Sequence, residues 1–343
     1  MDTDGLDEFD YAQTLHFALN QLNDGGAYPI ETDDTLYEGD VHFPKPAELS
    51  ALADVDDSDG PPPTTSQIIE EILANLDNYP KTLQVMMQRG LLKRKQQCKK
   101  CERVMHLRRR KTCYEWRCRT RDKRGDCSSC SIKTGSWFEN TKLSFKIIFN
   151  CLVMHCKNYA AAIMASALKQ STHSITEARR LIYDLTDRIV DRYPLIGATK
   201  KDVYLEVITL RPKKSGEASF KVLAGQEIGS MNCFAAVLTD SSPLTFERTK
   251  AEKLGPHARI TMVKTVKEDD KDLPTLRAIF FDELSYFSRE NERFFTNIRK
   301  YDPDNAYSTI ELLQSWLNDQ VIRRTEGPKM MEKCVEELKT FVA

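Results

Sequence analysis

A run of cysteines among arginines and lysines most constrains how this chain folds. Six of the ten cysteines lie within residues 97–130, QCKKCERVMHLRRRKTCYEWRCRTRDKRGDCSSC. A segment with so few apolar residues has too small a core to fold without a crosslink or a metal ion. The N-terminus, MDTDGLDEFD, is acidic and has the composition of neither a signal nor a transit peptide. We therefore expect metal-binding thiols and not disulfides.

The spacing of these cysteines predicts a structural Zn²⁺ site. Cys98 and Cys101 form a CxxC pair, in which both thiolates reach one ion while backbone amides hydrogen-bond the sulfurs. Cys118 in EWRC and Cys127 complete four ligands. Cys130 stays open as the alternative fourth ligand, because Cys127 and Cys130 form a second CxxC pair. Reduced thiols without a metal are the alternative for the whole group.

Charge is distributed unevenly along the chain, although the net charge is −1. Residues 1–65 carry 16 acidic residues and one basic residue, whereas residues 93–124 carry 15 basic and three acidic residues. An acidic tail on a basic body indicates a polyanionic partner, and we expect double-stranded DNA; a solvated charged face is the alternative. We predict that residues 1–65 are a largely disordered tail. The tail is interpreted as a solubilising leader, with contact to a protein partner or to the chain's own basic region as the alternative.

Helical periodicity predicts three helical regions. Residues 66–92 are interpreted as a helical lead-in with Ser66 as its N-cap. Residues 139–198 are interpreted as a helix-turn-helix, with an ordinary three-helix bundle as the alternative. The third helix of that region would present Ser174, Thr176, Glu177 and Arg180. Residues 331–343 are predicted to form a C-terminal helix.

The pattern changes to strands after Asp202. DVYLEVITL, ASFKVLAGQEI, NCFAAVLTD and RAIFF are rich in β-branched and aromatic residues. Strands with interleaved helices indicate an α/β domain, which we place at residues 199–330. The expected fold class is therefore multidomain α/β, with a zinc-ribbon-like segment at residues 93–138. No apolar run approaches the roughly 20 residues of a membrane helix, so no membrane partner is expected.

Four stretches resemble the Merlin superfamily of eukaryotic DNA transposons and its bacterial insertion-sequence relatives. The first, SIKTGSWFENTKLSFKII, follows the cysteines directly. VLAGQEIGSMNCFAAVLTD is similar to the family's paired strands with a Gly-x-Glu turn, and LPTLRAIFFDELSYF and YDPDNAYSTIELLQSW are similar to its catalytic strand and helix. The order of zinc ribbon, helix-turn-helix and ribonuclease-H-like domain also resembles that family. The similarity covers residues 95–325.

The resemblance implies DNA cleavage and joining by two Mg²⁺ or Mn²⁺ ions, which three carboxylates would hold. Asp282 follows the apolar RAIFF, and Glu311 begins the helix IELLQSWLNDQVI, so both match family carboxylates. The first carboxylate departs from the family's Asp. One register of VYLEVITLRPKK places Glu206 there, and another places Ile208 there. Glutamate is one methylene longer, which is a handicap for the strict geometry of magnesium.

Three functions follow from this reading. The first is a domesticated, weakly active or inactive transposase that binds DNA, the second is an active DDE-type transposase, and the third is a protein-interaction module. The DNA contacts are expected at Arg108, Arg109, Arg110, Lys111, Arg119 and Arg180. The DNA partner and the basic stretches at residues 93–95 and 108–111 indicate the nucleus, and a homodimer is possible.

Overall fold

The computed structural model describes residues 62–110, 113–118, 121–122, 125–210, 219–240, 242–262, 289–300 and 309–342. The predictions for nearly all of the acidic tail and for Lys111, Arg119 and Asp282 lie outside these residues. The described residues are mixed α/β. None of their helices has the length and apolar character needed to cross a membrane.

The described chain begins with two helices, α1 (Thr65–Asn75) and α2 (Tyr79–Gln88). Thr64 caps α1: its hydroxyl accepts from the backbone N–H of Gln67, and the Gln67 side chain accepts from the backbone N–H of Thr64. This reciprocal pair is a capping box. The prediction of Ser66 as N-cap was wrong, because Ser66 already lies in the first turn.

The cysteine-rich segment forms short antiparallel strands. They are β1 (His106–Arg109), β2 (Tyr114–Arg117), β3 (Arg121–Asp122), β4 (Gly125–Asp126) and β5 (Ser129–Ser131). One sheet has the order β1-β2-β5, and β3 pairs with β4 in a separate hairpin. Leu107 and Trp116 face each other across β1 and β2, and both are buried. The sheet therefore has an apolar side although its sequence is strongly basic.

The SIKTGSWFE motif builds the connection between this sheet and the helices that follow. Lys133 is buried, and its Nζ donates to the carbonyl oxygens of Thr141 and Leu143 at 3.3 and 2.7 Å. The same ammonium lies 5.2 Å from the centroid of the Phe145 ring. Phe138 is fully buried, with its ring centroid 5.1 Å from that of Phe145. Carbonyls and an aromatic ring thus compensate a buried charge, so these motif positions serve folding.

Three helices come next, as predicted. They are α3 (Phe145–Cys156), α4 (Ala161–Ala167) and α5 (Thr172–Val190). Lys169 adopts φ +50° in the connection after α4, and the N–H of Gln170 donates to the carbonyl of Ala165. A left-handed residue at this position ends a helix and turns the chain. The connection between α4 and α5 has four residues, 168–171.

A four-stranded sheet organises the residues after α5. Its strands are β6 (Asp202–Leu210), β7 (Phe220–Glu227), β8 (Cys233–Leu238) and β9 (Arg259–Met262). Their order is β8-β7-β6-β9; the first three are antiparallel, and β9 is parallel to β6. Helix α6 (Pro243–Lys253) lies between β8 and β9 in the sequence. The sequence predicted β6, β7 and β8 but missed α6 and β9, and RAIFF lies outside the described residues.

The remaining elements are helical. They are α7 (Arg289–Arg299), α8 (Ile310–Glu326), a 3₁₀ turn (Gly327–Lys329) and α9 (Met330–Lys339). Alternate residues of β6 enter two cores, because side chains alternate along a strand. Tyr204 and Ile208 pack in the core that α7 and α8 share with the sheet. Leu205 packs with Phe246 of α6 in the other core. Glu206 therefore points to the side of α7 and α8.

The segment expected to be a Gly-x-Glu turn is strand. Gly225 and Glu227 belong to β7, and the turn comes after them, with Gly229 at φ +79°. A Cβ on Gly225 would lie 2.3 Å from a ring carbon of Phe234 and 2.7 Å from a methyl group of Leu205. This glycine is needed for the close packing of three strands, not for a turn.

A side chain of α8 covers the edge of the sheet at β8. The amide oxygen of Gln314 accepts from the Val237 N–H at 2.9 Å, and its amide nitrogen donates to the Ala235 carbonyl at 2.9 Å. An edge strand otherwise presents unpaired backbone groups. Gln314 thus takes the place of a neighbouring strand at these two residues.

The chain divides into two compact units, Met1–Arg180 with Val335–Ala343 and Leu181–Cys334. The boundary falls inside α5 and not at residue 198, where the sequence placed it. The second half of α5 belongs to the second unit, since Asp187 accepts from Ser315 Oγ at 2.6 Å and from Asn318 Nδ2 at 2.8 Å.

Candidate metal centre and nucleic-acid interface

Four cysteine sulfurs of the first unit lie close enough to share one ion. The Sγ atoms of Cys98, Cys101, Cys118 and Cys127 all lie within 4.8 Å of one another. The Sγ atoms of Cys101 and Cys118 are 3.5 Å apart. A tetrahedral zinc ion with bonds of about 2.3 Å separates its sulfurs by about 3.8 Å. The set is therefore compatible with a zinc site, and it consists of the four cysteines that the sequence indicated.

Cys130, the alternative fourth ligand, lies outside this group. It is on β5, directly opposite Trp116 of β2. In the part of the chain that the structure describes, the four-cysteine set is the one group of three or more Cys, His, Asp or Glu side chains that could share an ion. The structure thus favours Cys127 over Cys130.

Two backbone arrangements bring these cysteines together. The Cys98 N–H donates to the Arg103 carbonyl at 2.9 Å, and the Glu102 N–H donates to the Cys98 carbonyl at 2.8 Å. Glu102 adopts φ +56°, so the chain turns back tightly after the first CxxC pair. The Cys118 N–H donates to the Ser128 carbonyl at 3.0 Å, which holds the end of β2 beside the segment that carries the fourth cysteine.

The pKa values of two thiols in this group are shifted in opposite directions. The Ser128 hydroxyl, 3.0 Å from Cys98 Sγ, and the N–H groups of Lys100 and Cys101 lower the pKa of Cys98 to about 6. Burial, together with the sulfurs of Cys101 and Cys98, raises the pKa of Cys127 to about 12. Thiolates that lie this close together repel one another, which disfavours their ionised form. A bound dication attracts them and therefore favours the ionised form.

Exposed basic side chains occur beside the first CxxC pair and along β1. We name this set the basic platform: Lys99, Lys100, Arg103, Arg108, Arg109 and Arg110. The Arg110 side chain is 64% exposed although its Nε lies 2.8 Å from Glu115 Oε2. Arg94, in the KRK stretch at residues 93–95, donates instead to the carbonyls of Met87 and Gln88 at the end of α2. Arg94 of that stretch therefore stabilises the end of α2.

Helix α5 exposes part of the expected recognition face. Thr176, Glu177 and Arg180 are exposed. Ser174 is half-buried, and both its N–H and its hydroxyl lie within hydrogen-bond distance of Ser171 Oγ, at 3.1 and 3.0 Å. Ser174 therefore also stabilises the start of the helix, whereas Thr176, Glu177 and Arg180 form the more exposed part of the expected face.

Glu206, the candidate first carboxylate, is buried and engaged by protein groups. It is 2% exposed, on the central strand β6. Its Oε1 lies 2.5 Å from a guanidinium nitrogen of Arg299 on α7, and its Oε2 accepts from the Tyr204 hydroxyl at 3.2 Å. A buried carboxylate needs such partners. Arg299 thus supplies the positive charge that a cation would supply in a metal site.

Glu311 begins α8, as predicted, and is exposed. Its own backbone N–H and the Thr309 side chain hydrogen-bond the carboxylate and lower its pKa. An anion in the first helical turn is also stabilised by the helix dipole. These contacts account for an acidic residue at this position without any metal.

Among the described residues, Glu206 and Glu311 belong to no group of three or more Cys, His, Asp or Glu side chains that could share an ion. Their surroundings also differ, because Glu206 is buried against Arg299 whereas Glu311 is exposed at the start of α8. Asp282 lies outside the described residues.

Comparison of the chain with protein families, with curated proteins and with solved structures finds no match.

The sequence did not predict two residues that contact the candidate site residues. Ser128 could have been noted, because it directly follows Cys127. Arg299 gave no signal, since 93 residues separate it from Glu206.

Proposed function

We propose that this chain is a transposase-derived DNA-binding protein of the nucleus whose former catalytic domain is weakly active or inactive. One observation supports the proposal most directly: four cysteine sulfurs lie close together in a segment that exposes six basic side chains. The transposase ancestry rests on the sequence motifs. Double-stranded DNA is the proposed partner, and a homodimer and contacts of the acidic tail remain expectations.

Zn²⁺ fits the four-cysteine group by chemistry and by spacing. Soft thiolates prefer zinc to the hard cations Mg²⁺ and Ca²⁺, and four sulfurs within 4.8 Å match a tetrahedral structural site. When bound, the ion would supply folding free energy and neutralise the thiolates. Cys98, Cys101, Cys118 and Cys127 would hold it. The strands of the zinc ribbon would then carry the basic platform as a rigid unit.

The basic platform suits phosphate groups. Arg108 and Arg109 lie on β1 with exposed side chains, while Leu107 between His106 and Arg108 points into the core. Arginine binds phosphate oxygens through two parallel N–H donors. Phosphate contacts give affinity and position, and base contacts give sequence specificity. We assign the second task to the exposed face of α5, which includes Arg180, in a helix-turn-helix formed by α4 and α5.

The strand order supports a ribonuclease-H-like second unit. Three antiparallel strands are followed by α6 and by β9, which lies parallel to β6. A meander, a helix and then a fourth strand beside the first is the beginning of a ribonuclease-H-like sheet. In that fold the central strand carries the first catalytic carboxylate, and β6 carries Glu206.

The contacts of Glu206 favour a silent catalytic domain. Mg²⁺ requires oxygen ligands that converge in near-octahedral geometry. Glu206 is instead paired with Arg299, and Glu311 is exposed on α8. The described carboxylates therefore do not fit a Mg²⁺ or Mn²⁺ site.

Fluorescence anisotropy with labelled duplex DNA tests the proposal. We expect the full chain to bind with a steep salt dependence, because phosphate contacts release counterions. The double variant Arg108→Ala/Arg109→Ala should lower the magnitude of the salt slope by about 2. Arg248→Ala, which removes an exposed arginine of α6, is the matched control. Duplex binding that is equal in all three proteins would contradict the assignment of the platform.

A nicking assay on plasmid DNA with Mn²⁺ separates the silent protein from an active transposase. We expect no nicking above that of Glu311→Ala. Nicking that the Glu311→Ala variant abolishes would show an active enzyme. A chain that binds no duplex at low salt would instead be a protein-interaction module.

A further inference from the structure

A groove in the second unit is lined by three arginines. It lies among α7, the last turns of α8 and the turn between β7 and β8, and its volume is about 410 Å³. The polar side chains that line it are Arg293, Asn297, Gln320, Arg323, Arg324, Thr325 and Glu326. Guanidinium, amide and hydroxyl groups are the donors that proteins direct at anions.

Three arginines and one carboxylate, Glu326, line the groove, and a second carboxylate, Asp319, pairs with Arg323 beside it. Glu326 lines the groove, and its Oε1 accepts from the Tyr193 hydroxyl at 2.6 Å. Asp319 Oδ2 accepts from Arg323 Nε at 2.7 Å, and both side chains are largely buried. That contact fixes the orientation of the Arg323 guanidinium. An oriented guanidinium binds an anion with a smaller loss of side-chain entropy.

The helix dipole explains two of the three arginines in the groove. Arg323 and Arg324 lie in the last turn of α8, where positive charge stabilises a helix. Arg293 has no such benefit, because it lies in the N-terminal half of α7, and its side chain is exposed. Arg293 therefore adds a third guanidinium to the groove that the helix dipole does not account for.

We propose that this groove binds a phosphate group of a nucleic-acid backbone, as a second DNA contact separate from the basic platform. The inference rests on the proposed DNA binding and extends it to the second unit. It gives the former catalytic domain a task that needs neither Glu206 nor a metal ion. Phosphodiester is favoured as the ligand because arginine forks match phosphate oxygens.

Salt-dependent anisotropy on the full chain tests the groove. We expect Arg293→Ala/Arg324→Ala to weaken duplex binding about tenfold and to lower the magnitude of the salt slope by about 2. Arg293→Glu is the second variant, because its exposed side chain tolerates change, and it should weaken binding further. Arg248→Ala should bind as the unmodified chain does. Affinity and slope unchanged in both groove variants would overturn the inference.

Two further arms keep the outcomes distinct. If Arg108→Ala/Arg109→Ala weakens binding and the groove variants do not, the groove inference fails and the proposed function stands. If the unmodified chain binds no duplex, both fail. Titration with inorganic phosphate and with a mononucleotide, followed by ³¹P NMR, tests the other source of a phosphate group. Groove-dependent binding of these small anions without groove-dependent duplex binding would overturn the nucleic-acid assignment.

Discussion

A guanidinium nitrogen of Arg299 lies 2.5 Å from the carboxylate of Glu206, although 93 residues separate the two in sequence. The carboxylate is almost fully buried on the central strand β6, and the arginine reaches it from α7. Removal of one partner leaves a buried charge without compensation, which costs more than the pair itself contributes. This pair therefore gives a direct test of what Glu206 does in the present protein.

Arg299→Gln should destabilise the second unit by about 3 kcal/mol, since Glu206 then lacks its counter-charge. The double variant Glu206→Gln/Arg299→Gln should recover most of that loss, because two neutral side chains can hydrogen-bond to each other. Urea unfolding measures both. Arg259→Gln is the control, because Arg259 pairs at an exposed position with Asp202, which lies on β6 as Glu206 does. Loss of this exposed pair should cost less than about 1 kcal/mol. A single variant as stable as the control would show that Glu206 does not depend on Arg299.

Replacement of the fourth cysteine distinguishes the two CxxC assignments. Cys127→Ser should lower the zinc content of the purified chain and its melting temperature, because only three thiolates remain. Cys130→Ser should keep the full zinc content, since Cys130 lies on β5 outside the group. Elemental analysis by plasma mass spectrometry gives the stoichiometry. Zinc lost from the Cys130 variant and retained in the Cys127 variant would reverse the assignment.

Glu227 makes the stability of the second unit depend on pH. Burial alone raises the pKa of Glu227, but the Lys201 ammonium, the Gly197 N–H and the Ser230 side chain outweigh it and lower the pKa below 4.5. A lowered pKa contributes stability above the unfolded value, and this stability is lost as pH falls through the folded value. Glu227→Gln should therefore cost about 1–3 kcal/mol at neutral pH.

The difference between the two proteins should shrink as the pH falls below 4.5, where the carboxylate of the unmodified chain takes up a proton. Urea unfolding at several pH values measures it. A difference that stays constant down to strongly acidic pH would mean that the charge of Glu227 does not contribute to the stability of the second unit.

Gln314 protects the edge strand β8. Gln314→Leu removes the hydrogen bonds to Val237 and Ala235 at similar side-chain volume, so it should cost about 1–3 kcal/mol. The exposed edge should also promote self-association. Urea unfolding and light scattering follow the two effects. Gln320→Leu in the same helix is the control and should cost less than about 0.5 kcal/mol; equal behaviour of the two variants would contradict this role.

The sequence by itself determined most of the larger elements and the group of four cysteines. Periodicity located α3, β6 and the start of α8, because a buried face recurs every 3.6 residues in a helix and every two in a strand. Ligand spacing selected four cysteines that do meet, since a CxxC pair constrains its geometry locally. The short strand β9 was missed, because four residues carry too little pattern.

Only the tertiary structure decided what the candidate carboxylates contact. The sequence predicts Glu206 as a metal ligand on a strand, but in the fold Arg299 packs against its carboxylate. No local sequence pattern encodes a contact between residues that are 93 positions apart. Ser174 reads as part of a recognition face but hydrogen-bonds Ser171. The groove around Arg293 likewise arises where two helices and a turn meet. Spacing fixes what neighbouring residues can do together, whereas burial and long-range pairing decide which charges a side chain meets.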